Sequence, residues 1–77
     1  MTIIGINTNN KIDYSKIHDI RIEHTRNQDY NLVAYSINKN FYRKTVLGTY
    51  KFYERACKDM EKIYADLFNK ERICEIG

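Results

Sequence analysis

Hydrophobic and polar positions alternate along much of the first two thirds of the chain, with the two-residue period of β-strands. The clearest case is residues 17–24, where isoleucine and histidine share one side and charged residues share the other. Asparagine-rich segments separate such runs and favour turns, because asparagine tolerates the left-handed backbone of tight hairpins. The pattern predicts a small antiparallel sheet of four to five short strands. The predicted strands are residues 2–7, 11–14, 17–24, 30–37 and 41–49.

The period becomes helical near residue 52 and stays so to about residue 68. Its apolar residues recur three or four positions apart and include Ala56, Met60, Ile63 and Leu67. Residues 71–77 show no clear period. The sequence therefore predicts an α+β fold, a single ββββα domain over residues 1–70 in which one C-terminal amphipathic helix packs on one face of the sheet. Residues 71–77 are predicted to form a C-terminal tail.

One face of the predicted sheet lacks a cover. The segments 30–37 and 41–49 are apolar on both sides, whereas a single helix shields one face. Exposed apolar faces of several hundred Å² mark interaction sites, and a chain of 77 residues has a small core. We therefore expect a homodimer or higher homo-oligomer built on the uncovered face. The residues predicted for this self-association or partner surface are Val33, Tyr35, Ile37, Phe41 and Tyr42.

The two cysteines are too few for a disulfide scaffold. Cys57 falls on the apolar side of the helix and is interpreted as a small buried residue, whereas Cys74 falls in the predicted exposed tail. Free thiols, together with the lack of a signal-peptide pattern, favour a cytoplasmic location. The chain contains no run of apolar residues long enough for a membrane span, so we expect no membrane association.

The net charge of +3 is too mild for a dense basic surface. Aromatic and basic residues are nevertheless interleaved at 42–44 and 50–55, as in proteins that stack bases and hold phosphates of single strands. Tyr42 and Lys44 share a strand face and Arg43 lies on the other, which divides the first segment between two faces. A nucleic-acid-binding module is therefore the alternative function. Its predicted contacts are Arg43, Lys44, Lys51 and Arg55.

Catalytic chemistry finds little support in the sequence. His18 and His24 lie six residues apart on one strand, roughly 20 Å from each other, so they cannot share a metal or a proton. Gly48 alone does not make a phosphate-binding loop and indicates a bend or a close helix approach. We predict no catalytic, cofactor-binding or metal-binding residue, no cofactor, and no enzymatic activity. A sponge for a small nucleotide is a further alternative, which requires a pocket between subunits.

The segment VLGTYK at 46–51, followed by ERA at 54–56 and then by Met60 and Ile63, resembles a pattern of small proteins encoded by phages and prophages of low-GC Gram-positive bacteria. In that pattern a strand ending in isoleucine-leucine-glycine-x-tyrosine leads into a helix that begins with glutamate, a basic residue and alanine. Most such proteins have no assigned activity, and some inhibit host defence systems, anti-CRISPR proteins among them. The resemblance gives no functional residue.

The resemblance implies a non-enzymatic phage or mobile-element interaction protein. Such a protein would inhibit a host defence or regulatory factor by binding and occlusion, so its expected partner is a host protein. One position departs from the pattern: Phe52 stands where the family often has a threonine or serine cap. Phenylalanine cannot accept hydrogen bonds from the free amides of the first turn. Either Thr49 caps a helix that begins earlier, or Phe52 is displayed to a partner.

Overall fold

The computed structural model describes residues 1–38 and 40–77, which form six strands in two three-stranded sheets and one helix. The α+β class is confirmed, whereas the expectation of four to five strands in a single sheet is wrong. A short 3-10 turn, Tyr14–Lys16, links the second strand to the third. The elements are β1 (Thr2–Gly5), β2 (Asn10–Asp13), β3 (Ile17–His24), β4 (Tyr30–Asn38), β5 (Phe41–Tyr50), α1 (Tyr53–Phe68) and β6 (Ile73–Ile76).

The larger sheet is an antiparallel meander in the order β3-β4-β5, and we call it the meander sheet. The smaller sheet, which we call the terminal sheet, has the order β2-β1-β6. In it β1 pairs antiparallel with β2 and parallel with β6. The terminal sheet thus joins the first strand of the chain to the last one.

The division into a domain over 1–70 and a tail over 71–77 is therefore wrong. Within β6 the side chains alternate between exposed and buried, and Cys74 and Ile76 lie in the core. Four alternating residues are too short a run to identify a strand, and the partner of this one lies at the opposite end of the chain. Cys74, expected in an exposed tail, is fully buried, and Cys57, expected to be buried, is half-buried.

The core lies between the inner face of the meander sheet and two covering layers, α1 and the terminal sheet. Ala56 and Ile63 of the predicted helix side are fully buried, while Met60 and Leu67 are half-buried. In the described part of the chain, no helix has the length and apolar character that a membrane crossing requires. The clustered core residues are Ile3, Ile20, Leu32, Ala34, Leu47, Ile63, Cys74 and Ile76.

The helix begins without a side-chain cap. Phe52 occupies the cap position with extended backbone dihedrals and is 66% exposed, with no capping hydrogen bond from its side chain. The Thr49 hydroxyl, the other candidate cap, donates instead to Asn31 Oδ1 at 2.9 Å. Of the two expectations for this position, the early cap by Thr49 is wrong.

A β-bulge in β5 provides a hydrogen-bonded contact between the two sheets. Leu32 pairs with Gly48 and Val33 with Val46, so Leu47 is the extra residue of the bulge. The Leu47 side chain enters the core, and its carbonyl oxygen accepts a hydrogen bond from Thr8 Oγ1 at 3.1 Å. Two asparagines, one in the turn after β1 and one at the start of β2, also donate to carbonyls of β5. They are Asn10 Nδ2 to Val46 O at 2.8 Å and Asn7 Nδ2 to Thr49 O at 3.1 Å.

This arrangement requires glycine at position 5. A Cβ atom on Gly5 would overlap the carbonyl oxygen of Leu47 and lie 2.8 Å from its carbonyl carbon. It would also lie 2.6 Å from Thr8 Oγ1. Because two of these neighbours are backbone atoms, no rotamer change relieves the overlap. Only a residue without a side chain lets β1 approach β5 this closely.

We predict that Gly5→Ala destabilises the fold by about 3 kcal/mol or more, the upper end of the cost of overpacking, because one sheet must move away from the other. Chemical denaturation followed by circular dichroism measures the change. Glu71→Ala, a truncation at an exposed position, serves as the control and should stay within about 0.5 kcal/mol of the parent. Equal stability of Gly5→Ala and the parent would contradict the close approach.

Candidate functional site

The face of the meander sheet opposite the core, which we call the outer face, collects residues from all three strands. Residues that stand opposite each other in neighbouring strands share a face. The ladder places Asp19 opposite Tyr35 and Tyr35 opposite Lys44 on this face, and it pairs Ile37 with Tyr42 nearer the turn of the β4–β5 hairpin. Both covering layers pack on the other face, so the outer face is where the predicted partner surface lies.

Three of the predicted surface residues are exposed at the turn end of this hairpin. Ile37 is 51%, Phe41 74% and Tyr42 72% exposed. Ile37 and Tyr42 are directly paired on the outer face, and Phe41 precedes Tyr42 at the start of β5, with the opposite orientation along the strand. We call Ile37, Phe41 and Tyr42 the hairpin-end patch. Large apolar side chains exposed together in this way are candidates for contact with a protein partner.

The other two predicted surface residues lie differently. Tyr35 is half-buried in the middle of the outer face, and Val33 has no exposed surface. Val33 stands between Arg21 of β3 and Val46 of β5 in the ladder, and neighbours on its own face bury it. The prediction that Val33 offers contact area is therefore wrong, because a central-strand valine is shorter than the side chains around it.

A polar network surrounds Tyr35. Its hydroxyl donates to Glu23 Oε2, and the other oxygen of that carboxylate pairs with Lys44 Nζ at 2.6 Å. Arg21 Nε donates to Asp19 Oδ2 at 2.7 Å, and the Arg21 guanidinium lies 5.8 Å from the centre of the Tyr35 ring. These contacts fix the orientation of the ring and satisfy the charges around it. The centre of the outer face is thus ordered before any partner binds.

The network shifts the titration of its members. The hydrogen bond from Lys44, followed by that from Tyr35, lowers the pKa of Glu23 below its ordinary value of 4.5. The hydrogen bond to the Glu23 carboxylate raises the pKa of Tyr35 and also that of Lys44. Since the pKa of Glu23 is depressed on folding, its ionised form stabilises the protein above about pH 4.5. That contribution is lost as the pH falls through the depressed value.

We predict that Glu23→Gln is less stable than the parent at pH 7 by up to about 1 kcal/mol, the range of partly exposed ion pairs. The difference should shrink as the pH falls below 4.5, because the parent then loses the same charge. Thermal unfolding at a series of pH values measures it. Glu71→Gln, which removes an exposed carboxylate outside this network, should follow the parent curve. A constant offset between Glu23→Gln and the parent from pH 7 to low pH would contradict the role of Glu23.

The four predicted nucleic-acid contacts fall in three separate places. Arg43 and Lys44 point to opposite faces of β5, and Lys44 is already paired with Glu23. Lys51 follows the far end of β5, roughly 20 Å from Lys44 at the rise of a strand. Arg55 lies in the first turn of α1. The structure therefore brings Lys51 and Arg55 together and separates them from the other two.

Lys51 and Arg55 line a depression beside the start of α1, to which Lys58 also contributes. The exposed Phe52 ring stands at the same place. The acidic residue of this depression is Asp59, which accepts hydrogen bonds from the Tyr50 hydroxyl and from Gly77 N. Sequence reasoning missed Lys58, although its position on the helix next to Arg55 and Phe52 could have identified it.

The two histidines also lie apart, as expected. The His24 ring stacks on Tyr30 with centroids 4.8 Å apart, and Tyr30 makes an edge contact with Tyr53. His18 is the extra residue where the pairing of β3 with β4 shifts, and it is exposed. Among residues 1–38 and 40–77, no three histidine, cysteine, aspartate or glutamate side chains lie close enough together to hold a metal ion.

Comparisons with protein-family models, with curated proteins and with solved structures gave no match. The resemblance to small phage proteins stays a prediction.

Proposed function

We propose that this chain is a non-enzymatic binding protein that recognises a protein partner through the hairpin-end patch and the adjoining outer face. The observation that carries the proposal is the exposure of Ile37, Phe41 and Tyr42 together at one end of a hairpin. In the biological role proposed from the sequence resemblance, a phage or mobile element uses the protein to inhibit a host defence or regulatory factor by occlusion.

The patch has the composition of an interface centre. Aromatic side chains supply large, rigid contact area, and the tyrosine hydroxyl stays hydrated or finds a partner. Interfaces concentrate their binding energy in a few such anchors, surrounded by polar contacts that exclude water. Here the polar surroundings are the ordered charges of Asp19, Arg21 and Lys44. Their fixed pattern favours a partner of complementary charge and so contributes specificity.

We propose that a second copy of the chain can use the same face. A stable interface buries about 800 Å² on each partner, more than three side chains provide. A dimer therefore has to extend from the hairpin-end patch across the outer face, over Tyr35 and the network around it. In a two-fold dimer the same patch serves both subunits, which doubles the effect of any change within it.

We predict that the parent chain self-associates at roughly 100 μM, where mass action favours the dimer, and that Tyr42→Asp reduces it to a monomer. Light scattering after size exclusion gives the mass. Tyr64→Asp, at an exposed tyrosine of α1 outside the patch, is the matched control and should keep the parent's mass. The tagged parent and both variants are then compared in capture from a host lysate. The proposal would be contradicted by two results together: the parent chain is a monomer, and Tyr42→Asp captures the same lysate proteins as the parent.

Nucleic-acid binding is the second candidate, and it rests on Lys51, Arg55 and Lys58 around the exposed Phe52. A single strand would stack a base on the ring and place phosphates near the three cations. This location differs from the hairpin-end patch, so the two functions can be tested separately.

For the second candidate we predict that affinity for a single-stranded oligonucleotide falls with salt at a slope near −2 on logarithmic axes, about −0.7 for each of three phosphate contacts. Arg55→Gln should make the slope less steep by about 0.7, the contribution of one phosphate contact, because one phosphate loses its cation. Lys44→Gln, at the other end of β5, should leave it unchanged. Fluorescence anisotropy over a salt series measures both quantities. No binding at low salt would exclude this candidate.

A further inference from the structure

A cleft of about 920 Å³ lies between the two sheets, away from the depression at the start of α1. Its walls come from β2, the 3-10 turn and the first residues of β3 on one side, and from β4 and β5 on the other. Three lysine or arginine side chains and one histidine line it. They are Lys11, Lys16, Arg43 and His18.

Carboxylates of the described residues balance only part of the positive charge of this cleft. In the described part of the molecule the ion pairs are Arg21–Asp19 and Lys44–Glu23, and both belong to the outer face. One acidic residue, Asp13, lines the cleft, and its carboxylate accepts a hydrogen bond from Ser15 N at 3.0 Å. The cleft therefore holds an excess of cations, even with His18 neutral.

Hydrogen-bonding groups accompany the cations. Ser36 is 7% exposed and lines the cleft from the central strand β4, and Thr45 lines it from β5. Ile12 and Ile17 add apolar wall. Cavities that bind small ligands have this size, with apolar walls and a few well-placed polar groups. Several cations around hydroxyl groups match the oxygens of a phosphate, which lysine binds as a point charge and arginine binds in a bidentate manner.

We propose that the inter-sheet cleft binds a small phosphorylated molecule of nucleotide size. The phosphates lie among Lys11, Lys16 and Arg43, and the remainder of the molecule packs on the isoleucine wall. This site lies within one chain and borders the partner surface at Ile37, which lines the cleft and also belongs to the hairpin-end patch. Arg43 and Lys44, adjacent in sequence, then serve different surfaces because successive residues of a strand point to opposite faces.

The experiment titrates the full chain with ADP, with pyrophosphate and with adenosine, followed by calorimetry and by NMR of assigned amides. ADP and pyrophosphate should bind and shift signals of β2, the 3-10 turn and the middle of β5, whereas adenosine should bind far more weakly. Arg43→Gln and Lys16→Gln should each weaken ADP binding about tenfold, the loss of one charged hydrogen bond. Both positions are exposed, and circular dichroism verifies that the variants are folded.

Lys44→Gln is the matched control, since it removes one positive charge at the neighbouring residue on the opposite face. It should leave the affinity for ADP unchanged, because Lys44 does not line the cleft. If Lys44→Gln weakened ADP binding as much as Arg43→Gln does, the binding would reflect general attraction to positive charge and the proposed site would be wrong. The proposal is also overturned if neither phosphate probe binds at low salt, if adenosine binds as tightly as ADP, or if only an oligonucleotide binds through Arg43.

Discussion

The contact of Gly5 with the bulged backbone at Leu47 is the constraint on which the rest of the structure depends. The bulge sends the Leu47 side chain into the core and leaves its carbonyl oxygen facing Thr8. The turn after β1 can satisfy that oxygen only because Gly5 has no side chain. Close packing of backbone on backbone fixes the terminal sheet against β5, and the position of the inter-sheet cleft follows from it.

Strand β5 supplies the two surfaces with different electrostatics. On the outer face, the charge of Lys44 is balanced by Glu23, and the same carboxylate orders Tyr35. On the inner side, Arg43 faces a cleft in which three lysine and arginine side chains accompany one carboxylate, that of Asp13. A balanced surface suits contact with a folded partner, because few charges must be desolvated without compensation. An unbalanced cleft suits an anion that brings the missing charge with it.

The sequence predicted the elements whose signal is local. The strand at residues 17–24 and the helical period that buries Ala56 and Ile63 both depend on residues close together in the chain, and both are confirmed, although the register of the strand shifts at His18. Alternation also placed Arg43 and Lys44 on opposite faces. Strand β6 escaped prediction because four residues carry almost no periodic signal and its partner, β1, lies far away in sequence. The bulge at Leu47 escaped for a similar reason, since only the ladder with β4 reveals it.

The candidate surfaces divide in the same way, into features that local sequence patterns predict and features that depend on segments far apart in the chain. Ile37 and Tyr42 could be placed on an exposed face because β4 and β5 carry apolar residues on both faces and one helix covers only one of them. The burial of Val33 could not, since it depends on the side chains of the neighbouring strands. The cleft could not be predicted either. Lys11 and Lys16 line the same cleft as Arg43 only because of the placement of one sheet against the other, which short-range patterns do not encode.

The parallel pairing of β1 with β6 also determines the order in which the protein can fold. The meander and α1 are built from contacts between segments that follow one another, and such contacts form early. Closing β1 onto β6 requires the two ends of the chain to meet, which is the step with the largest loop to close. The pairing of β1 with β6 is therefore expected to form late and to open early in native-state hydrogen exchange. Because β1 pairs with both β2 and β6, the last strand of the chain supports the sheet that forms one wall of the cationic cleft.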